Sequence, residues 1–364
     1  MSRIIFTVVN DLTYDQRMKR ICGSLAHAGY EVLLVGRQLP NSIPLNNEPY
    51  AQQRLHLVFK KGKLFYLEYN VRLFCFLLFK KFDICCGIDL DTILPCYLVS
   101  KWKRKKCVYD AHELFSEVPE VVRRPFIQKI WRRVEKFAIR RVRNCYTVSD
   151  GLADFFQQKY ERHFEVIRNV PLLQEETIPA NVPQSRRYIL YQGALNEGRG
   201  LSQLIKAMEE LPLQLKLAGE GDLSIPLREM ARNSGYNEKI EFLGQKLPGE
   251  LRQLTHSSFI GVNLLENKGL SYYYSLANKF FDCVHAGVPV ITMNFPEYIK
   301  LNKQFEVALL VNDLQKETLV QAITMLEQDK DAYFRLKENC LRARNTWNWQ
   351  QEALKLLAFY RALQ

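Results

Sequence analysis

The chain has 364 residues, of which 47% are hydrophobic and 25% charged, and its formal net charge is +12. This length suffices for two domains of ordinary size, and the composition excludes a disordered or fibrous protein. No run reaches the roughly 20 uncharged apolar residues of a membrane-spanning helix. The nearest run, 64–79, contains Glu68 and Arg72, so it predicts a core helix instead.

Strands and helices alternate along the first half of the chain. Asp15 has the residue type and position of a helix N-cap, and Gly29 suits the end of the same helix. Near-continuous apolar strands that alternate with helices predict an α/β fold with a parallel sheet. The predicted strands are 3–9, 31–36, 82–87, 106–109 and 144–148, and the predicted helices are 16–28 and 125–143.

A polar stretch with two prolines, 173–187, predicts an interdomain linker. The strand–helix pattern starts again after it. We therefore predict a first domain of 1–175 completed by 347–364, and a second domain of 183–346. The second-half strands are predicted at 188–192, 214–218, 240–243, 259–264 and around 290, and the helices at 201–210, 278–285 and 347–363.

The nine cysteines include no CxxC pair, and most lie in apolar runs. This pattern favours buried, reduced thiols in a cytoplasmic protein. The N-terminus does not predict a signal peptide, because Asn10 and Asp11 follow an apolar run of only six residues. The cysteines are Cys22, Cys75, Cys85, Cys86, Cys96, Cys107, Cys145, Cys283 and Cys340.

The positive charge is concentrated in residues 101–143, which hold 14 lysines and arginines against five acids. Trp102 and Trp131 lie among these cations. This mixture suits peripheral binding to the anionic inner face of the cytoplasmic membrane. A solvated helix face is an equally good interpretation. A nucleic-acid partner is not expected, because no base-reading motif accompanies the charge.

Glycines at three predicted strand ends suggest a ligand site in the second half. The turn 193–201 leads from a strand into a helix, where backbone N–H groups favour an anion such as a diphosphate. Arg199 in this turn can add a bidentate phosphate contact. A tight strand–helix turn explains the glycines equally well. Gly193 is the first residue of this turn. At the two other strand ends, the missing side chains of Gly219, Gly221 and Gly244 let a ligand approach the backbone.

The segment 275–282 contains a second candidate anion site. Residues Ser275 to Asn278 are predicted to open a helix. Lys279 can reach a phosphate, although an exposed helix lysine is as good an interpretation. Asp282 lies one turn further along, and its carboxylate can accept hydrogen bonds from two ribose hydroxyls.

This segment, followed by Ala-Gly-Val-Pro-Val-Ile at 286–291, resembles the signature of the family-4 (group 1) retaining glycosyltransferases of GT-B fold. The resemblance extends over nearly the whole chain, through residues 15–17, 110–113, 148–149 and Asn169 in family order. It implies two Rossmann-like domains facing across a cleft, with a C-terminal helix that crosses back to the N-terminal domain.

The resemblance also implies residue roles. His112, Arg199 and Lys279 are implied to act in catalysis, His112 near the donor sugar and the two cations at the diphosphate. Asp15 and Arg17 are implied to face the acceptor. The implied donor-binding residues are Gly193, Gly219, Gly221, Gly244, Ser275, Leu276, Ala277, Asn278 and Asp282.

Three positions depart from the family pattern. Ala194 stands where the family often has an arginine, so a phosphate contact is lost or comes from Lys279. Tyr274 stands where many members have the first of two glutamates, and Asp282 stands at the second. The glycine pair common after the first strand is replaced by Asn-Asp-Leu-Thr at 10–13. These departures leave the donor sugar and the acceptor side undetermined.

The resemblance implies metal-independent transfer of a sugar with retention, without a further cofactor. The expected donor is a nucleotide-sugar, with UDP favoured and GDP next, and the acceptor is a glycan or a lipid-linked cell-envelope molecule. Two alternatives stay open at this point, a nucleotide-sugar epimerase of the same fold and a degenerate, non-catalytic binding partner. A dinucleotide oxidoreductase is disfavoured, because no GxGxxG follows the first strand.

Overall fold

The computed structural model describes residues 2–13, 15–174 and 187–364. The chain divides into two compact units, one of Met1–Asn169 with Gln351–Gln364 and one of Val170–Gln350. The predicted linker 173–187 lies mostly outside the described residues. Within the described ranges, no helix is long and apolar enough to cross a bilayer.

The first unit contains a seven-stranded sheet in the order β3-β2-β1-β4-β5-β6-β7, in which every strand pair is parallel. The order reverses between β1 and β4, which is the position where open α/β sheets bind ligands. The elements are β1 (Arg3–Thr7), α1 (Gln16–His27), β2 (Glu31–Arg37), β3 (Ala51–Leu55), α2 (Gly62–Phe79), β4 (Ile84–Ile88), α3 (Asp89–Trp102), β5 (Lys106–Ala111), α4 (Pro119–Val122), α5 (Pro125–Arg141), β6 (Asn144–Thr147), α6 (Asp150–Tyr160) and β7 (Glu165–Val166).

Helices cover the apolar strands of this sheet. All five residues of β4 are buried, as expected for a central parallel strand with both faces covered. The N-terminus of α1 is capped by Asp15, whose carboxylate accepts from the backbone N–H of Met18 at 2.9 Å. Gly29 follows the same helix with φ +90. The predicted core helix 64–79 is α2, and it begins two residues earlier than predicted.

The second unit contains a six-stranded parallel sheet in the order β10-β9-β8-β11-β12-β13. This sheet has the same reversal, here between β8 and β11. The elements are β8 (Tyr188–Gln192), α7 (Leu201–Ala207), β9 (Gln214–Ala218), α8 (Ser224–Arg232), β10 (Ile240–Gly244), α9 (Pro248–Ser257), β11 (Ile260–Asn263), α10 (Leu270–Tyr273), α11 (Asn278–His285), β12 (Val290–Met293), α12 (Pro296–Gln304), β13 (Ala308–Val311), α13 (Lys316–Gln328) and α14 (Lys330–Ala343).

The last helix, α15 (Trp349–Arg361), belongs to the first unit from Gln351 onward. Its Tyr360 ring lies 5.8 Å from that of Phe6 in β1, and Phe359 lies 5.2 Å from Tyr146 in β6. The C-terminal segment therefore completes the core of the first unit, as the fold prediction requires. The two units, each with a parallel sheet and helices, confirm the predicted α/β fold class.

Candidate functional site

The loops after β8 and β9 are held together by their backbones. The N–H of Gly193 donates to the carbonyl of Ala218 at 2.9 Å. A Cβ at Gly219 would lie 1.9 Å from the carbonyl oxygen of Gly193, and one at Gly221 would lie 2.2 Å from Oδ1 of Asn196. Loop–loop packing therefore requires these two glycines. Their predicted contact with a ligand stays a prediction, and the packing adds a second reason for glycine at both positions.

Gly244 differs from those two glycines. Its φ is +67, and the nearest atom to an added Cβ would be Oε1 of Glu220 at 3.6 Å. Arg228 holds that glutamate through contacts of 2.7 and 3.2 Å. An added Cβ at Gly244 would therefore meet no clash, and its predicted place in the nucleotide pocket stays a prediction.

Arg199 and Lys279 lie close together on aromatic rings in the second unit. The guanidinium carbon of Arg199 is 4.8 Å from the centroid of Tyr272, and the ammonium of Lys279 is 3.9 Å from that of Tyr191. The Nε of Arg199 is buried without a hydrogen-bond partner. In the part of the chain that the structure describes, neither cation forms an ion pair. Lys279 also lies beside Gly193, 3.4 Å from an added Cβ there.

Burial and the neighbouring Arg199 both act on the charge of Lys279. Burial lowers the pKa of Lys279 well below its usual value, and the nearby positive charge of Arg199 lowers it further. Asp282 and Cys283 oppose this shift only in part. A bound anion would offset both unfavourable effects, so the arrangement favours a negatively charged ligand.

The segment before α11 is tied to the protein by its own hydrogen bonds. The hydroxyl of Ser275 donates to the carbonyl of Tyr272 at 2.9 Å. The N–H of Ala277 donates to the hydroxyl of Tyr298 at 3.0 Å. The side chain of Leu276 is buried. The amide of Ala277 is thus bound within the protein. The predicted donor contacts of Ser275, Leu276 and Ala277 stay predictions.

Asp282 on α11 is held by a glutamine that the sequence analysis missed. The amide nitrogen of Gln192, the last residue of β8, donates to Oδ2 of Asp282 at 2.8 Å. The amide oxygen of Gln192 accepts from the hydroxyl of Thr255 on α9 at 2.9 Å. Gln192 and Thr255 are both buried. A polar residue at the end of an otherwise apolar strand was the available signal. Asn278 is the first residue of α11.

A buried ion pair lies at the end of β5 in the first unit. Arg17 is 4% exposed and Asp110 is fully buried. The guanidinium donates to Oδ1 of Asp110 at 3.1 Å, to the carbonyl of Ile167 at 3.2 Å and from Nε to Nε2 of His112 at 2.9 Å. Arg17 is therefore bound within the protein and positions His112. Its predicted place on the acceptor side stays a prediction. Asp15, the other predicted acceptor residue, caps α1.

His112 lies between two carboxylates. Its Nε2 is 3.0 Å from Oδ2 of Asp110, and its Nδ1 is 3.9 Å from Oδ2 of Asp89. Burial alone would lower the pKa of His112, but the negative charges of Asp110 and Asp89 outweigh it and raise the pKa. The protonated ring donates from Nε2 to Asp110. In the neutral ring with the proton on Nδ1, Nε2 instead accepts from Arg17.

Two family models match the chain. The model described as Glycosyltransferase Family 4 matches residues 16–170, and the model described as Glycosyl transferases group 1 matches residues 174–342. The chain belongs to the group 1 (family 4) glycosyltransferases. The first match begins after β1 and includes the other six strands of the first sheet, and the second match includes all strands of the second sheet. A search among curated protein sequences found no match.

Solved structures similar to this glycosyltransferase cover it from end to end. A sucrose-phosphate synthase from Thermosynechococcus elongatus superposes with a TM-score of 0.82 at 18% identity, covering 100% of this chain and 99% of the other. HepE of Anabaena, in complex with UDP and glucose, has a TM-score of 0.77 at 14% identity, covering 99% and 100%.

A third similar structure is WaaG, a glycosyltransferase involved in lipopolysaccharide biosynthesis, with a TM-score of 0.71 at 13% identity and coverage of 97% and 98%. At these identities the three structures establish the two-domain GT-B fold of this glycosyltransferase. Donor, acceptor and stereochemistry have to be argued from its own residues.

Proposed function

We propose that this glycosyltransferase transfers a hexose from a UDP-sugar to a glycan or lipid-linked acceptor of the cell envelope, with retention and without a metal ion. The observation that carries the proposal is the pair Arg199 and Lys279, two adjacent cations without an ion-pair partner among the described residues. Partly buried cations without an ion-pair partner favour an anion, and a diphosphate supplies two or more negative charges.

The same pair supports the chemistry. The bond to the leaving diphosphate breaks while negative charge develops on its oxygens. Arg199 and Lys279 can stabilise this charge without a bound metal. The family often has an arginine at the position of Ala194. Lys279 lies against the neighbouring Gly193, so its ammonium is suited to make the phosphate contact that this arginine would make. Retention itself is proposed from membership of the family.

The nucleotide end is supported by Asp282 and Gly244. The carboxylate of Asp282, oriented by Gln192, is suited to accept from the ribose hydroxyls. Gly244 leaves space for the base. UDP is favoured because a structurally similar protein, HepE, is described in complex with UDP and glucose. GDP is the second choice.

A thermal-shift comparison of UDP, GDP and ADP with the full chain tests the donor class. We expect UDP to raise the melting temperature most, because a ligand at 100 times its Kd stabilises by about 2.7 kcal/mol. Arg199→Ala should lose most of this shift, whereas Arg232→Ala, an exposed arginine of the same unit, should keep it. No shift with any nucleotide would contradict the proposal.

Product analysis tests the reaction. With a UDP-α-sugar and a suitable acceptor, the product should be an α-glycoside, identified by the coupling constant of its anomeric proton. Activity should survive treatment with a chelator. Conversion of the donor to an epimer without release of UDP would instead indicate the epimerase alternative.

We also propose that the first unit binds the cytoplasmic face of an anionic membrane. Phe79, Trp102 and Phe126 are 87%, 71% and 70% exposed. Lys103 links the ends of α2 and α3, where its ammonium donates to the carbonyls of Leu77 and Lys80. We call the surface formed by the exposed apolar residues of α2, α3 and α5, with the cations of 101–143, the basic-apolar face. Its apolar residues are Leu64, Leu67, Val71, Phe79, Leu98, Trp102, Phe126 and Ile130.

Vesicle co-sedimentation tests this surface. Phe79→Ser with Trp102→Ser should reduce binding to vesicles that contain anionic lipid, because both apolar insertion and the lysines contribute. Ile225→Ser removes an apolar side chain of the second unit that is as exposed as Trp102, and it should leave vesicle binding unchanged. Arg132 is a weaker probe, because it already pairs with Glu117 at 2.9 Å. Equal binding by all variants would rule this face out.

A further inference from the structure

Arg37, the last residue of β2, is a half-buried arginine whose guanidinium is not hydrogen-bonded within the described residues. Its Nε is buried without a partner, and its guanidinium carbon lies 4.5 Å from the centroid of the Phe65 ring. By contrast, Arg54 donates from its three guanidinium nitrogens to Asp11, Ile43 and Thr13. A buried donor without a partner is unfavourable, so the guanidinium of Arg37 is suited to donate to a ligand.

Carboxyl groups lie on the other side of the sheet reversal. Asp89 and Asp91 begin α3, directly after β4. The amide nitrogen of Asn70 donates to the backbone carbonyls of Asp91 and of Tyr66, each at 2.9 Å, so these two residues are neighbours. Burial raises the pKa of Asp91 well above its usual value, the charges of Asp89 and Glu113 raise it further, and Arg37 opposes the shift. A ligand anion here would meet these carboxylates. A hydroxyl-bearing, uncharged ligand fits, because a carboxyl group accepts from hydroxyls and, when protonated, also donates to them.

A series of aromatic rings continues from Arg37 along the same edge. Phe65 lies 4.9 Å from Tyr66, Tyr66 lies 5.6 Å from Trp131 of α5, and Trp131 lies 4.8 Å from Phe115. Tyr66, Phe115 and Trp131 are partly exposed. Polarised C–H groups on one face of a pyranose ring pack well on the negative face of such rings. Arg37 and Asp91 are suited to bind the hydroxyl groups of a sugar, and the neighbouring aromatic rings are suited to pack on the face of its ring.

We propose that Arg37, Asp91 and Tyr66 form a subsite for one uncharged sugar residue of the acceptor, so that the acceptor is a saccharide at the end that this enzyme recognises. The inference rests on the proposed glycosyl transfer and adds the chemical class of the acceptor. Arg37 donates to a hydroxyl of this sugar, Asp91 accepts from another, and the ring of Tyr66 packs on its face. The subsite lies at the carboxyl ends of β2 and β4, on either side of β1.

Saturation-transfer NMR with the full chain and saturating UDP tests the subsite. The probes are methyl glycosides of glucose, galactose, mannose and N-acetylglucosamine, with methyl glucuronide as the anionic counterpart. We expect saturation transfer to at least one uncharged glycoside, and a loss of at least about fivefold in its affinity with Arg37→Gln and with Tyr66→Ala. Arg143→Gln, an exposed arginine of the same unit, should behave as wild type.

Three results would overturn the inference. These are no transfer to any uncharged glycoside, equal transfer with Arg37→Gln, and a preference for the glucuronide. The thermal shift with UDP keeps the two hypotheses separate. If wild type binds UDP but no glycoside, the subsite is wrong and the donor proposal stands. If wild type binds no nucleotide, the proposed function fails first. A variant that keeps the UDP shift and the wild-type circular dichroism spectrum is folded.

Discussion

Gln192 donates from its amide nitrogen to Oδ2 of Asp282 at 2.8 Å, which joins the end of β8 to the first turns of α11. The two residues are 90 positions apart in the chain. The hydroxyl of Thr255 lies 2.9 Å from the amide oxygen, and its one proton is also within reach of the carbonyl of Leu251 at 2.8 Å. An ionised carboxylate only accepts hydrogen bonds, so the NH₂ of the amide faces Asp282. This contact aims a carboxylate at the place proposed for the ribose.

Gln192→Leu should weaken recognition of the ribose without abolishing nucleotide binding. Wild type is expected to bind UDP about tenfold more tightly than 2′-deoxy-UDP, which is the effect of one hydrogen bond to a charged group. The variant should reduce this ratio to about two, because Asp282 is no longer held in place. Isothermal titration with both nucleotides measures the ratio. Gln214→Leu, on an exposed strand position, is the control, and an unchanged ratio in Gln192→Leu would refute the positioning role.

Binding of UDP should take up protons through Lys279. Burial and Arg199 lower the pKa of Lys279 in the free protein, and a diphosphate favours the charged form, so the bound state holds more protons. Affinity should therefore fall as the pH rises between the free and the bound pKa. Titrations in buffers of different ionisation enthalpy measure the uptake.

Lys279→Met should remove this proton uptake, whereas Lys206→Met, at an exposed position of α7, should keep it. Arg199→Ala should reduce it, because the pKa of Lys279 then rises in the free protein. Proton release on binding, or equal uptake in Lys279→Met, would contradict the proposed contact.

Asp110→Asn should be strongly destabilising. The side chain of Arg17 is only 3% exposed, and the substitution leaves its charge without a counter-ion. Removal of one partner from a buried pair typically costs about 3–5 kcal/mol. Asp83→Asn, in the exposed pair with Lys105, should cost less than about 1 kcal/mol. Urea unfolding curves compare the two variants, and similar costs would mean that Arg17 finds another acceptor.

Gly219→Ala should destabilise the second unit by about 3 kcal/mol or more, because its Cβ would lie 1.9 Å from the backbone of Gly193. Gly249→Ala is the matched control, since its Cβ would meet no atom within 4 Å. If Gly219→Ala instead kept its stability and lost only UDP affinity, the glycine would serve the ligand and not the packing. Thermal unfolding with and without UDP distinguishes these outcomes.

Several elements follow from the sequence to the residue, among them β8, β9 and α11. Each is a short apolar or amphipathic run between clear turn residues, so local pattern was sufficient. Helix 201–210 was predicted too long, because α7 ends at Ala207. The turn after it, 208–210, consists of Met208, Glu209 and Glu210. These residues have high helix propensity, so local preference does not show that the helix ends before them.

The candidate site was predictable only in part. Arg199 and Lys279 were identified from motif order, and their proximity on Tyr272 and Tyr191 came from the structure. The bonds of Arg17 were missed, because nothing near residue 17 indicates that its guanidinium faces inward. Arg37 was missed for the opposite reason, since a lone arginine at a strand end carries no motif.

The parallel α/β class, the family and the order of the motifs could be predicted from the amino-acid sequence, because hydrophobic period and turn residues act over a few positions. The contacts between distant side chains could not, because they depend on how the strands are arranged. Arg17 reaches Asp110 across 93 positions because β1 and β5 lie on either side of β4 in the first sheet. Gln192 reaches Asp282 because β8 ends beside α11. Strand order sets such contacts, and it follows from the packing of the whole unit.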